Sequence, residues 1–263
     1  MPTSQIHAST AKEIAALLSD APMDEARTLI ERYRDDPRKQ VQKAVATAEN
    51  KLQKLEAETA RVDEMYRFQR ELGGEGIILG VDEVGRGSIA GPLTVCAVAL
   101  PDEPHIYGLN DSKQLTPAKR EVLAVKIEEI ALAIGTCHIS PQTIDEVGMA
   151  QALRMAMTGA IEDAGIDPDC VLIDGNPIHV HPKEKTIVKG DARIASIAAA
   201  SIVAKVTRDH LMVTYDDEFP GYHLAECKGY ASAEHIAAIK AQGLSPIHRF
   251  SFCGNFLETP SLF

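Results

Sequence analysis

Residues 80–92 read GVDEVGRGSIAGP, with two adjacent carboxylates and four glycines set directly on the apolar run IILGV (77–81). How this stretch is read decides the fold. A second apolar run, TVCAVAL (94–100), follows at once. So short a separation suits two antiparallel strands joined by a glycine-rich turn. Asp82 and Glu83 then stand at the end of the first strand. This is either an acidic tight turn or a place where backbone and charge are presented together.

Beyond the turn the pattern alternates. Thr116-Pro117 caps a helix to about Ile130, since proline is tolerated in a first turn. LAIGTCHI (132–139) reads as a third strand, and 141–164 as helix ending at Gly165. CVLID (170–174) is a short apolar strand suited to a buried central position. TIVKG (186–190) is another, and Asp191 opens an alanine-rich helix running past Lys205. A last helix near 232–241 precedes SPIHRF. Strands alternating with helices predict an α/β domain over 73–263, a mixed sheet flanked by helices, with a C-terminal helical part and short tail.

Residues 1–72 read as an all-helical extension. Thr10 and Glu13 fit a capping box, MDEARTLIERYR (23–34) is a second helix, and a third carries a seam at Val41, Val45, Ala48, Leu52, Leu55, Val62 and Tyr66. With Thr59 in the slot between Leu55 and Val62, steps of four and three make that seam a heptad stripe. It predicts a helical hairpin whose seam packs on the two preceding helices, with a substrate- or partner-gripping arm as the sharper alternative. Gly73-Gly74 ends it.

The 263 residues carry a formal net charge of −11, which argues against a polyanionic partner. Locally, Lys183, Lys185, Lys189, Arg193, Lys205 and Arg208 face only Glu184 and Asp191 within 183–208, so a basic surface survives. IASIAAASIVA (194–204) is too short to span a bilayer. No basic-then-apolar leader is evident, and five scattered cysteines without a C-x-x-C suit buried thiols in a reducing cytoplasm. His179 and His181 form H-x-H, but no Cys or acid stands at zinc spacing, so they read as loop residues.

Asp82, Glu83, Asp174 and Asp191 share one placement, at a strand end or a helix start. Strand ends lying side by side would bring them together. Converging carboxylates repel unless cations sit among them. Oxygen-only ligands select Mg²⁺ or Mn²⁺ over zinc, and two such ions can hold both attacking and leaving oxygens of a phosphodiester. The bland alternative is turn acids, with Asp191 merely capping its helix.

GVDEVGRGSIAGP, GLNDSK (108–113), LIDGN (172–176), KGDARIASIAAASIVAKVTRD (189–209), CKGY (227–230) and SPIHR (245–249) stand in the order of bacterial ribonuclease HII, which the chain resembles over about 75–253. The N-terminal helices resemble an extension of some Gram-positive members. The resemblance implies a ribonuclease H-like sheet and a metal-dependent endoribonuclease using two Mg²⁺ or Mn²⁺ ions, held by Asp82, Glu83, Asp174 and Asp191. Its substrates would be RNA–DNA hybrids and ribonucleotides embedded in duplex DNA. Cleavage 5′ of the ribonucleotide would leave a 3′-hydroxyl and a 5′-phosphate. Gly85-Arg86-Gly87 would let backbone read the 2′-hydroxyl, and Tyr230 would stack on the following deoxyribose. Lys113, Lys189, Arg208 and Arg249 are candidate phosphate contacts. Asn110 reads as a polar turn residue and His248 as a helix-end histidine.

Ser88-Ile89 replaces a frequent Pro-Leu, Ile194 a small polar residue, and His223-Leu224 with Glu226-Cys227 alters the approach to Tyr230; these departures touch substrate grip. Other readings are a different two-metal nuclease of the same fold and a non-catalytic hybrid-binding module. A cytoplasmic monomer is expected. The terminal Leu262-Phe263 resembles a sliding-clamp peptide, against the alternative of a frayed tail.

Overall fold

The computed structural model describes residues 10–257. Its contacts divide into two units, one ending at Arg61 and one beginning at Val62. In the first, α1 (Ala11–Asp20) opens on the expected capping box: the Thr10 hydroxyl accepts from Glu13 N–H, and the Glu13 carboxylate accepts from Thr10 N–H. It packs with α2 (Met23–Tyr33) and the start of α3 (Lys39–Gly73) through Ile14, Leu18, Ile30, Val41, Val45 and Ala48. Leu55 of the seam is exposed. From Val62 onward α3 counts with the second unit, where Val62, Met65 and Tyr66 join its core.

That unit is built on five strands: β1 (Ile78–Val84), β2 (Leu93–Ala99), β3 (Ala133–Ile139), β4 (Cys170–Asp174) and β5 (Glu184–Ile187), in the order β3-β2-β1-β4-β5. The β1–β2 and β2–β3 pairs are antiparallel, while β1–β4 and β4–β5 are parallel. Period-two alternation divides the apolar residues between two faces. Leu79, Val81, Val95 and Ala97 pack with Ala152, Ala156, Met157 and Ala160 of α6 (Met149–Asp163). Cys96 and Val98 pack with α4 (Pro117–Ile130) and α7 (Ala195–Glu218). The sheet is therefore mixed and covered on both sides, as expected.

Some local expectations change. The 141–164 helix is two, α5 (Pro141–Val147) and α6, broken at Gly148. The last strand is β5, ending before Val188-Lys189-Gly190. Asp191 lies in a 3-10 turn, Gly190–Ala192, ahead of α7, and does not cap that helix. Three short helices follow α7: α8 (Leu224–Cys227), α9 (Ala233–Gln242) and α10 (Phe250–Cys253). Among the described residues no helix is long and apolar enough to cross a membrane. All five cysteines are free, Cys137 and Cys227 being only partly buried.

The alanine-rich composition of α7 has a steric cause. A Cβ on Gly80 would stand 2.3 Å from the Ser196 carbonyl carbon, so the helix backbone lies directly on β1. Gly80→Ala should therefore destabilise the fold by about 3 kcal/mol, read by urea unfolding. An unchanged midpoint would mean that α7 can slide.

Candidate active site

Parallel pairing of β1 and β4 sets Val81 opposite Ile173, so Asp82 and Asp174 follow side by side at the carboxyl ends of neighbouring strands. Val81 and Ile173 face α6. The next residue on each strand turns the other way, which directs both aspartates to the α7 face. There Asp82 is 6 % exposed and meets the Ser201 hydroxyl, which is itself 3.0 Å from Ser112 Oγ. Asp174 Oδ1 accepts from Gly190 N–H at 2.6 Å and so ties the turn carrying Asp191 to the end of β4. Glu83 projects to the opposite face, 3.7 Å from Arg86 Nη1.

Burial first, then the charges of Glu83 and Asp174, raises the Asp82 carboxyl well above the usual range. Glu83 is raised by burial and by Asp174 against the pull of Arg86 and Lys113. Asp191 is raised by burial, Asp111 and Asp174. Burial works against the charge on Lys113, but the fields of Asp111, Asp82, Asp191 and Asp174 outweigh it and raise the ammonium. One lysine therefore senses all four acids. Among the described residues, no three His, Cys, Asp or Glu groups are gathered closely enough to hold a metal ion as they stand. The donor set is all oxygen and strained by like charge, which fits a hard divalent cation.

The glycine turn stands beside the acids. Gly85 has φ 84°, and a Cβ there would lie 2.3 Å from Arg208 Nε; a Cβ on Gly87 would meet nothing within 4 Å. One glycine packs inward and the other leaves backbone open to a ligand. Gly229 O accepts from Ile89 N–H (2.9 Å) and Ala90 N–H (3.1 Å), which places Tyr230 next to the turn, 39 % exposed.

A family profile described as Ribonuclease HII matches residues 79–255. The chain belongs to the ribonuclease HII family. A second profile, the ribonuclease HII N-terminal domain, matches residues 10–73. The chain is 48% identical over 226 residues to ribonuclease HII of Lachnoclostridium phytofermentans, covering 86% of this chain and 89% of that one. It is 43% identical over 245 residues to ribonuclease HII of Geobacillus thermodenitrificans, covering 92% and 94%. The crystal structure of ribonuclease H2 from Pyrococcus horikoshii OT3 superposes with a TM-score of 0.57 at 27% identity, over 67% of this chain and 93% of that one. The enzyme is thus an endonuclease of the ribonuclease H type, class HII.

Within the chain, three expectations are corrected. Arg208 and Arg249, expected at phosphates, are both fully buried. Arg208 donates to Pro92 O, Ala90 O, Lys228 O and Ser88 Oγ at 2.8–3.0 Å. Arg249 donates to Gly91 O through two nitrogens and to Arg86 O at 3.1 Å. A guanidinium surrounded by carbonyls inside the core has no face left for substrate. The two side chains are the internal frame of the GRG turn and the Lys228–Tyr230 loop. Ser88, one of the departures from the family pattern, supplies an acceptor to that frame. His248 is likewise not a helix-end residue but buried, 3.0 Å from His235.

The turn reading of Asn110 and the loop reading of His179 and His181 agree with the structure. Asn110 accepts from the adjacent Asp111 N–H, as a turn residue does, and Lys189 is exposed beside Asp191. His179 and His181 lie on the β4–β5 loop, along a cavity of about 640 Å³. There the Glu184 carboxylate is already taken by the amides of Ile178, His179 and Val180. Arg154 was not legible. It lines a cavity of about 290 Å³ together with Glu83, Arg86 and Asp174. Its one cue is being the only basic residue in MAQALRMAMTGAI (149–161).

Proposed function

We propose that the enzyme hydrolyses the RNA strand of RNA–DNA hybrids and nicks 5′ of single ribonucleotides in duplex DNA, leaving 3′-hydroxyl and 5′-phosphate ends. The observation that carries this reading is the side-by-side exit of Asp82 and Asp174 from β1 and β4, with Asp191 tied to the second through Gly190. Asp82, Glu83, Asp174 and Asp191 would hold two divalent ions, Mg²⁺ or Mn²⁺. When bound, such ions supply an activated water and neutralise charge at the phosphodiester. The chain's own groups do the selecting. The open backbone at Gly87 approaches a 2′-hydroxyl, and the exposed ring of Tyr230 stacks on the next deoxyribose, where a 2′-hydroxyl would crowd it. The enzyme acts as a monomer on this reading.

Lys113, Lys189 and Arg154 are the exposed cations for flanking phosphates. Arg154→Ala should weaken binding equally for all sequences and lower the salt slope by about one, measured by hybrid affinity across a salt series. An unchanged slope would remove Arg154 from the interface. Leu262-Phe263 lies outside the described residues; as a clamp peptide, its deletion should abolish association with a bacterial sliding clamp.

The decisive assay compares a duplex with one ribonucleotide, a continuous hybrid and all-DNA duplex, each with Mn²⁺, Mg²⁺ or chelator. Nicking is expected only where ribose and metal are both present. An intact strand under Mn²⁺ overturns the reading, and cleavage of all-DNA duplex favours a general nuclease.

A further inference from the structure

The loop bearing Tyr230 runs through two successive left-handed residues, Lys228 (φ 52°) and Gly229 (φ 79°). Its carbonyls are all taken: Lys228 O by Arg208, Gly229 O by the Ile89 and Ala90 amides, and Tyr230 O by the Ser232 amide at 2.9 Å and by His235 Nδ1 at 2.8 Å. The last bond begins a chain. His235 Nε2 lies 3.0 Å from His248 Nε2, and His248 Nδ1 lies 3.0 Å from Ser245 N and 2.8 Å from Ser245 Oγ. The two rings are 0 % and 5 % exposed.

Proton positions follow by elimination. A carbonyl only accepts, so His235 Nδ1 carries hydrogen; at His248 Nδ1 the Ser245 amide, which only donates, lies nearer (3.0 Å) than the Ser245 carbonyl (3.3 Å), whose oxygen already accepts from His248 N–H, so His248 Nδ1 is bare. In two neutral rings the remaining nitrogens are then complementary, and His248 Nε2–H donates to His235 Nε2. The chain runs one way, from Ser245 through His248 and His235 to the Tyr230 carbonyl. A proton added to either ring would set two N–H groups against each other. The surroundings favour neutrality. Burial, then His235, pushes His248 down to about 4, and burial with His223 lowers His235. The Tyr222 ring packs on both, Cys227 Sγ lies 3.4 Å from His235 Nδ1, and Ser232 Oγ caps the helix below His235. The neighbouring Arg249 guanidinium turns away to Gly91 and Arg86. Among the described residues neither ring has a carboxylate within ion-pair distance.

We propose that His235 and His248 are positioning residues for Tyr230: the paired neutral imidazoles set the loop that presents its ring, and so set discrimination at the nucleotide 3′ of the ribonucleotide. This rests on the reading of Tyr230 given above. The test is the ratio of kcat/KM on a ribonucleotide followed by deoxyribonucleotide to that on a continuous hybrid. His235→Phe and His248→Phe should lower this ratio about tenfold. His235→Asn, which keeps an N–H toward the Tyr230 carbonyl, should recover most of it. Melting midpoints supply a second readout. His248 is depressed, so its contribution to stability is complete above the ordinary value of about 6.5 and declines as pH falls toward the folded one. The wild-type advantage over His248→Phe should shrink over that range, and a constant gap would count against the pair. Long-range proton–nitrogen spectra of the full protein should show Nδ1–H on His235 and Nε2–H on His248; any other tautomer pair overturns the inference without an activity assay. If Tyr230→Ala loses the ratio while a folded His235→Phe keeps it, the inference falls alone. If Tyr230→Ala keeps it, the reading of Tyr230 falls and takes the inference with it.

Discussion

Asp82→Asn is expected to lower kcat on a single-ribonucleotide duplex by on the order of 10³-fold while leaving the protein folded and its melting midpoint unchanged or higher. The two effects have one cause. Asp82 is a buried carboxylate whose charge is opposed by its surroundings and by Glu83 and Asp174. Such a group is held for what it binds, not for what it adds to the core. An amide of the same shape removes one like charge and can still pair with the Ser201 hydroxyl, so the strand end keeps its packing. A divalent cation should raise the midpoint of the wild type by mass action and that of Asp82→Asn much less. Retained turnover in the variant would mean that the acids are misassigned. A midpoint lowered by several degrees would mean that Asp82 is structural.

Arg208→Met is expected to act in the opposite sense, with its main effect on stability, a loss of about 3–5 kcal/mol by urea unfolding. Removing the guanidinium leaves Pro92 O, Ala90 O and Lys228 O without their buried donor. Arg208→Lys should restore only part, because an ammonium cannot span four acceptors as the planar fork does. Cleavage should fall in step with the disordering of the GRG turn, with no change in salt slope. A phosphate contact would behave differently, giving a shallower salt slope and an unchanged midpoint. That second outcome would return Arg208 to the substrate interface.

The contrast between these two residues shows how far the chain could be read in one dimension. The β1 turn was legible because strand, acid and glycine are neighbours in sequence, and the capping box at Thr10 because its two bonds span three residues. The break at Gly148 and the 3-10 turn holding Asp191 were not, since each depends on what packs across from it. Arg208 and Arg249 look in sequence like Lys113 and Lys189, four cations within the same motifs. The fold buries the first two under carbonyls and leaves the others at the rim. His235 and His248, thirteen residues apart, showed no pattern, because a bond between ring nitrogens exists only once α9 and the Ser245 loop are packed together.

Residue order alone therefore determined which groups capable of chemistry this protein has, and on which strand ends and turns they sit. The tertiary structure alone decided which of them meet one another and which meet solvent. Hydrogen-bond demand is a property of each side chain, whereas the partner that satisfies it is delivered by burial, a property of the assembled core.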